Sequence, residues 1–341
     1  MKSLFIFKLV LFGITIFTLF PYITNKHSNR LFQIIEDNPP DIINVNKSSL
    51  SSCGVKLLNL VLTDPKSNKS VEVINADLDK DFTGSGSFFL YPFIGRLDNT
   101  KNFLDYMGVT TFDFPTIDPQ TGLPIHGLFV QTERVLVNKD HNSLTYVAKN
   151  TQYFNKFPKF SEKYTLSDDS LEIRTTFENT SNQVQYFGYS HHPYISINNQ
   201  SIDNFHISSN IEKHVKLNAL YVPQLDKKGD LIFDDFKLNG WINGRHIDDA
   251  FHTNLGSNVH DNTYVKIKDN ANNISIQVEC VLSAENISFP FTTVYTPPNR
   301  KAIAVEFGSS PINAFNILFP HYLTKIEPGQ ILAGVTKITI K

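Results

Sequence analysis

Lys163-Tyr164-Thr165-Leu166-Ser167-Asp168-Asp169-Ser170-Leu171-Glu172-Ile173-Arg174-Thr175-Thr176-Phe177 is the stretch that decides the fold class. Leu171, Ile173, Thr175 and Phe177 alternate with Glu172, Arg174 and Thr176, the period of two expected of a strand with one buried face. Ser167–Ser170 is a run of short polar residues whose side chains favour turns. Together with the strand ending at Leu166 it predicts a β-hairpin. Working outward, strand signals recur at Lys56–Thr63, Val71–Asn75, Ser87–Leu90, Leu144–Ala148, Gln183–Tyr189, Tyr264–Lys268, Thr292–Tyr295, Ala302–Phe307 and Gly334–Ile340. After residue 50 no long segment carries an apolar period of 3.6, and no repeat of fixed length stands out. Many short strands without helical spacers predict an all-β protein, a large antiparallel β-sandwich.

Composition agrees. The chain has 28 Phe and 13 Tyr against 2 Met and 1 Trp, a mix that favours pleated surfaces over helices. Apolar residues make up 41% and charged residues 19%, which is globular rather than disordered. The formal charge is −2, without the clustered Lys and Arg that a nucleic-acid partner demands. Large sandwiches run as one unit well past 200 residues (roughly), so residues 51–341 are expected to form a single domain.

The N-terminus differs from the rest. Lys2 and Lys8 precede Leu9–Phe20, a mostly apolar and uncharged run that is short for a bilayer span of about 20 residues but matches a signal-peptide core. Residues 1–23 are therefore expected to be a signal peptide or signal anchor directing the chain to the secretory pathway. The product is secreted, or held at a membrane through an uncleaved N-terminus. Residues 24–50, rich in Asn, Ser, Asp and Pro, read as a polar linker. Cys53 and Cys280 have the opportunity to pair in an oxidising compartment, but Cys280 alternates with Ile274, Ile276 and Val278 and so reads as a core thiol. The N-x-S/T sequons at Asn46, Asn68, Asn179, Asn199, Asn273 and Asn286 are no more than this Asn-rich composition gives by chance.

Several residues carry chemistry. Glu306 sits in the otherwise apolar Ala302-Ile303-Ala304-Val305-Glu306-Phe307, where alternation places it on a face with Ala302 and Ala304. Small neighbours suit a face that a ligand approaches, and desolvation there would make the carboxylate a better base. A solvent-facing Glu is the commoner case, and spacing alone favours it. His191-His192-Pro193-Tyr194 sets two histidines on opposite faces of a strand, so one of them at most serves a given pocket. His126 precedes Gly127, which permits close backbone approach. Arg96 offers a fork of donors for vicinal hydroxyls, or a surface ion pair. Asp248-Asp249-Ala250-Phe251 sets carboxylates beside an aromatic, or is a plain turn. Trp241 is a stacking platform or a core residue. His126, His192, His246 and His252 lack H-E-x-x-H spacing, so no metal is expected. There is no nucleophile elbow, P-loop or dinucleotide fingerprint.

The order of these segments is more telling than any one of them. Gly95-Arg96, Ile125-His126-Gly127, His192-Pro193-Tyr194, Asp248-Asp249-Ala250-Phe251, Val305-Glu306-Phe307 with Pro311 and Asn316, and Glu327-Pro328-Gly329 together resemble the aldose 1-epimerase (galactose mutarotase-like) family from about residue 55 to the C-terminus. The resemblance implies a supersandwich with a concave sugar-binding face, and interconversion of the α and β anomers of a free monosaccharide without a cofactor. It assigns Glu306 as general base, His192 as general acid and His126 as a second histidine polarising the ring. Arg96 and Asp248 become hydroxyl ligands. Leu97-Asp98-Asn99 after Arg96, Pro193 after His192 and the short Arg96–His126 interval resemble a divergent branch. Three alternatives stay open at this point: a non-catalytic carbohydrate-binding protein, a glycoside hydrolase using Asp248 and Glu306, and a hexose-6-phosphate mutarotase.

Overall fold

The computed structural model describes residues 31–35, 55–76, 84–253, 262–281 and 287–341. Residues 1–23, Cys53, Asn46 and Asn286 lie outside them. Within the expected linker, Leu31–Ile35 corrects the reading: it is a strand, pairing antiparallel with Lys56–Thr63. Its Leu-Phe-Gln-Ile-Ile sequence has the β-formers that the surrounding Asn, Asp and Ser lack.

Two large antiparallel sheets face each other. One is 10-stranded and runs in the order Leu31–Ile35, Lys56–Thr63, Ser87–Leu90, Ser190–Ile195, Ile303–Gly308, Phe291–Tyr295, Asp248–His252, Lys213–Val215 and Phe233–Asp234, with Ser70–Asn75 also paired to Lys56–Thr63. The other is 9-stranded, in the order Gly240–Trp241, Phe205–Ser209, Thr263–Asp269, Ile274–Cys280, Ile331–Ile340, Ser170–Glu178, Lys159–Leu166, Ser143–Ala148 and Arg134–Lys139. Gln185–Phe187, shorter than expected, pairs with Thr324–Ile326 in a small third sheet. The hairpin read from residues 163–177 is present, with Leu166 opposite Leu171 and Tyr164 opposite Ile173.

The two sheets bury their residues differently. In Ser170–Glu178 buried and half-exposed positions alternate, because one face packs inward and the other meets water. In Ser190–Ile195 and Ile303–Gly308 every residue is buried. One face of these strands joins the sandwich core through Ile195, Ile303, Val305 and Phe307. The other is covered by loops from residues 84–131, and there Phe88, Leu90, Ile94, Val130, Tyr194 and Ala304 form a second, smaller cluster. The many phenylalanines fill the space between the sheets: Phe89 lies 4.6 Å from Phe160, and Phe177 lies 4.6 Å from Phe187, ring to ring. Aromatic pairs at such separations add to their burial energy. Cys280 is a core thiol, as its alternation predicts. The one α-helix among the described residues, Lys101–Met107, buries Phe103 and Met107 and stops at Gly108 in the left-handed conformation.

Candidate active site

Adjacent central strands carry the two most telling residues. Tyr194 faces Ala304, so continuing the antiparallel register sets His192 opposite Glu306. Glu306 pairs on its other side with Thr293, and His192 with Phe88. The row Phe88, His192, Glu306, Thr293 thus crosses the covered face of the sheet. His192 Nε2 lies 3.0 Å from Glu306 Oε1, with side chains only 4% and 3% exposed. The solvent-facing position favoured by spacing for Glu306 is therefore wrong. Its strand is covered on both faces, which alternation within one strand cannot reveal.

The Phe88 ring stacks on His192 at 4.6 Å and 19°. His126 stands edge-on to His192, 5.2 Å away at 86°. The backbone there is tightly specified. His126 has φ 67°, its N–H donates to Gly95 O at 2.9 Å, and Tyr91 O accepts from both Leu128 and Phe129. Gly127, at φ +85°, runs so close to Tyr91 that a Cβ would fall 2.1 Å from its carbonyl oxygen. The expected close backbone approach is real.

Arg96 is held at the rim. Its Nε donates to Asp118 at 2.8 Å and its Nη2 to Asp248 at 3.1 Å, while Tyr221 covers the guanidinium at 4.6 Å. Gln120 Nε2 donates to the Tyr221 hydroxyl at 2.9 Å, so Arg96 joins two loops to the strand bearing Asp248. The turn reading of Asp248–Phe251 is corrected: Asp248–His252 is a strand of the sheet. Glu306, His192, His126, Arg96, Asp118, Gln120 and Asp248 line one cavity of about 490 Å³, together with Tyr194, Tyr295, Thr293 and Gln131.

Burial dominates the electrostatics. It pushes the Glu306 carboxyl well above its usual range, reinforced by Asp248 and opposed by Arg96. It lowers His192 to about 3, helped by the charge of Lys56, and holds His126 well below the usual histidine range, with His192 and Arg96 adding to the effect. The direction common to all three is toward neutrality. A pair sharing one proton satisfies this, since Glu-COOH with neutral His and Glu-COO⁻ with imidazolium have the same net charge. Glu306 Oε2 and His126 Nδ1 are buried with no hydrogen-bond partner among the described residues. Buried polar atoms left in this way mark a place where a polar ligand would be satisfied.

Five of the six expected site residues, Glu306, His192, His126, Arg96 and Asp248, line the cavity. Trp241 does not. It lies on Gly240–Trp241 in the other sheet, 52% exposed and edge-on to His206, so both the sugar-stacking and the core readings are corrected. A lone tryptophan carries no positional signal beyond its composition. Asp118, Tyr221, Tyr194 and Tyr295 were not singled out. Tyr194 was within reach, two residues from His192 and hence on its face. Asp118 is hidden in a turn-like Asp118-Pro119-Gln120-Thr121-Gly122, where it also accepts from Thr121.

No family model matches the chain, and no curated protein does. Solved structures do. An aldose epimerase homologue from C. elegans is similar at 14% identity, over 92% of this chain and 99% of that one, with a TM-score of 0.64. A galactose mutarotase-like protein from Clostridium acetobutylicum is similar at 18% identity, over 84% and 89%, with a TM-score of 0.62. A galactose 1-epimerase from Lactobacillus acidophilus is similar at 11% identity, over 92% and 99%, with a TM-score of 0.55. At these identities the likeness is one of architecture, and with the two sheets described above it establishes the fold: the chain is a galactose mutarotase-like β-sandwich.

Proposed function

We propose that the protein is an aldose 1-epimerase acting on an unphosphorylated monosaccharide. The observation that carries this is the buried contact of 3.0 Å between His192 and Glu306 inside a cavity that Arg96, Asp118, Gln131, Asp248 and Thr293 also line. Opening a pyranose ring requires the anomeric O1–H proton to leave and the ring oxygen to gain one as the C1–O5 bond breaks. Glu306 as carboxylate accepts the first proton, and His192 as imidazolium supplies the second. The open-chain aldehyde then faces Glu-COOH and neutral His192, the distribution that burial favours. Rotation about C1–C2 and reversal of both transfers closes the other anomer and returns each proton. His126, neutral and beside His192, is placed to donate or accept at the ring.

A glycoside hydrolase would pair Glu306 with a second carboxylate. The group in contact with Glu306 is His192, whereas Asp248 is engaged by Arg96. A phosphosugar would call for a free cation. Arg96 is the one Lys or Arg among the described lining residues, and both its ion pairs are to carboxylates of this chain. A non-catalytic binding protein gains nothing from a buried acid–base pair that costs stability.

Polarimetry of freshly dissolved α-glucose and α-galactose tests the proposal. Acceleration over buffer, with α-glucose 6-phosphate little affected, is expected. No acceleration with any free aldose would refute it.

A further inference from the structure

Behind the site, between the sheets, lies an ion pair the chemistry above does not use. Arg134 Nε is 2.6 Å from Glu162 Oε2, with side chains 1% and 0% exposed. We propose that this pair is a positioning device holding both His126 and His192, an inference that rests on the acid–base reading of the site. Arg134 grips the chain that follows His126. Its Nη1 donates to Thr132 O at 2.9 Å and its Nη2 to Phe129 O at 3.2 Å, and the guanidinium is flanked by Phe89 and Phe160 at 5.2 and 5.1 Å.

Glu162 reaches the other histidine segment. It accepts from Tyr164 Oη at 3.1 Å, and its Oε1 lies 3.8 Å from His191 Nε2. His191 Nε2 is 3.0 Å from Thr175 Oγ1, which also accepts from Tyr189 Oη. His191 and His192 are consecutive in one strand and point to opposite faces. Fixing the His191 ring at the back therefore fixes the peptide that presents His192 at the front. One buried pair thus tethers the two segments whose histidines converge in the cavity.

Replacing a buried ion pair with apolar groups of similar volume is often neutral or stabilising, so the fold alone does not account for it. Misplacing a reacting group by about 1 Å, by contrast, costs on the order of 100-fold in rate.

The test is the paired variant Arg134→Met/Glu162→Leu in the full chain, read by polarimetry, calorimetry and long-range ¹H–¹⁵N spectra of the histidine rings. We expect kcat to fall about 10- to 100-fold with KM within about twofold, Tm little changed, and the His126 and His192 ring signals shifted. A folded double variant with normal kcat and unmoved ring signals overturns the proposal. Should that variant not fold, Thr175→Val removes the hydroxyl partner of His191 and leaves the ion pair intact. It should shift the His192 ring and lower kcat about threefold or more, and an unmoved ring overturns the idea. If the unmodified protein accelerates no mutarotation, the acid–base reading fails on its own, while the ring signals of both variants still decide whether the pair positions the histidines.

Discussion

Replacing Glu306 with Gln separates chemistry from stability because the two should move in opposite directions. The amide keeps the shape of the side chain and leaves His192 Nε2 a partner, but it removes the base that the proposed ring opening needs. Loss of one acid–base group costs about 10²–10⁴-fold in kcat/KM, or about 2.7–5.5 kcal/mol of transition-state stabilisation. Stability should rise. Burial and Asp248 hold the Glu306 pKa in the folded chain well above the ordinary glutamate value of 4.5. Between those two values the native state binds more protons than the unfolded one, so stability falls as pH rises through that window. Each unit of separation costs about 1.4 kcal/mol once the pH exceeds both values. Gln escapes this cost, and its advantage in Tm over the natural chain should therefore grow from pH 5 to pH 8. Polarimetry gives the rate and calorimetry at both pH values gives the stability. His192→Asn should lose a similar factor in rate, and the double variant should be little worse than either, since one step uses both groups. A folded Gln variant within about tenfold of normal activity, or one whose Tm drops and stays lower at every pH, would refute the reasoning.

Arg96→Ala removes the cation between Asp118 and Asp248 and the support beneath Tyr221; KM should rise about tenfold or more with a smaller change in kcat, as measured by initial-rate polarimetry. Gly127→Ala sets a Cβ against Tyr91 O at a φ of +85°, so the denaturant midpoint should drop by the equivalent of about 3 kcal/mol or more, or the protein should be insoluble. His214 has Nδ1 2.6 Å from Asp234 and Nε2 3.0 Å from Asp249, and only imidazolium donates to both. Burial pushes its pKa down, but the bonds to Asp249 and Asp234 raise it more, so its contribution is present below about pH 6.5 and lost as pH rises through the raised folded value; His214→Gln should flatten Tm against pH across that range. Trp241→Ala, outside the cavity, should leave kcat and KM unchanged.

What the sequence disclosed follows from how far each signal reaches. Period-two alternation is local, so the hairpin at residues 163–177 and strands such as Lys56–Thr63 and Ser87–Leu90 were legible to within a residue or two. The face of Glu306 was legible as well, since Ala304 and Glu306 do share a side. What alternation cannot tell is whether that side meets water. The cover over Glu306 comes from residues far away in the chain, among them Arg96, His126 and the Pro115–Gln120 segment. The turn alternative for Asp248–Phe251 fails for a related reason. Asp-Asp is a poor strand signal, and its place in the sheet is supported by Arg96 from about 150 residues earlier. Leu31–Ile35 was overlooked because its polar surroundings dominated the composition of the segment.

The burial difference between the two sheets explains why the candidate site sits where it does. On a sheet with one wet face, a residue on the outer side points into water. The 9-stranded sheet is of that kind, and Glu172 points to its half-exposed side. In the 10-stranded sheet the loops of residues 84–131 lie over Ser190–Ile195 and Ile303–Gly308, so two side chains that face each other across strands are taken out of water together. Neither tolerates a full charge alone, and a shared proton is the cheapest arrangement open to them. That proton is the one the proposed ring opening would move. The loops that exclude water also bring Arg96, Asp118 and His126 to the cavity, so desolvation and the proposed hydroxyl recognition depend on the same covering segments. Loosening the cover should therefore weaken binding and lower the Glu306 pKa together, whereas an effect confined to binding would mean that the pair is desolvated by the strands themselves.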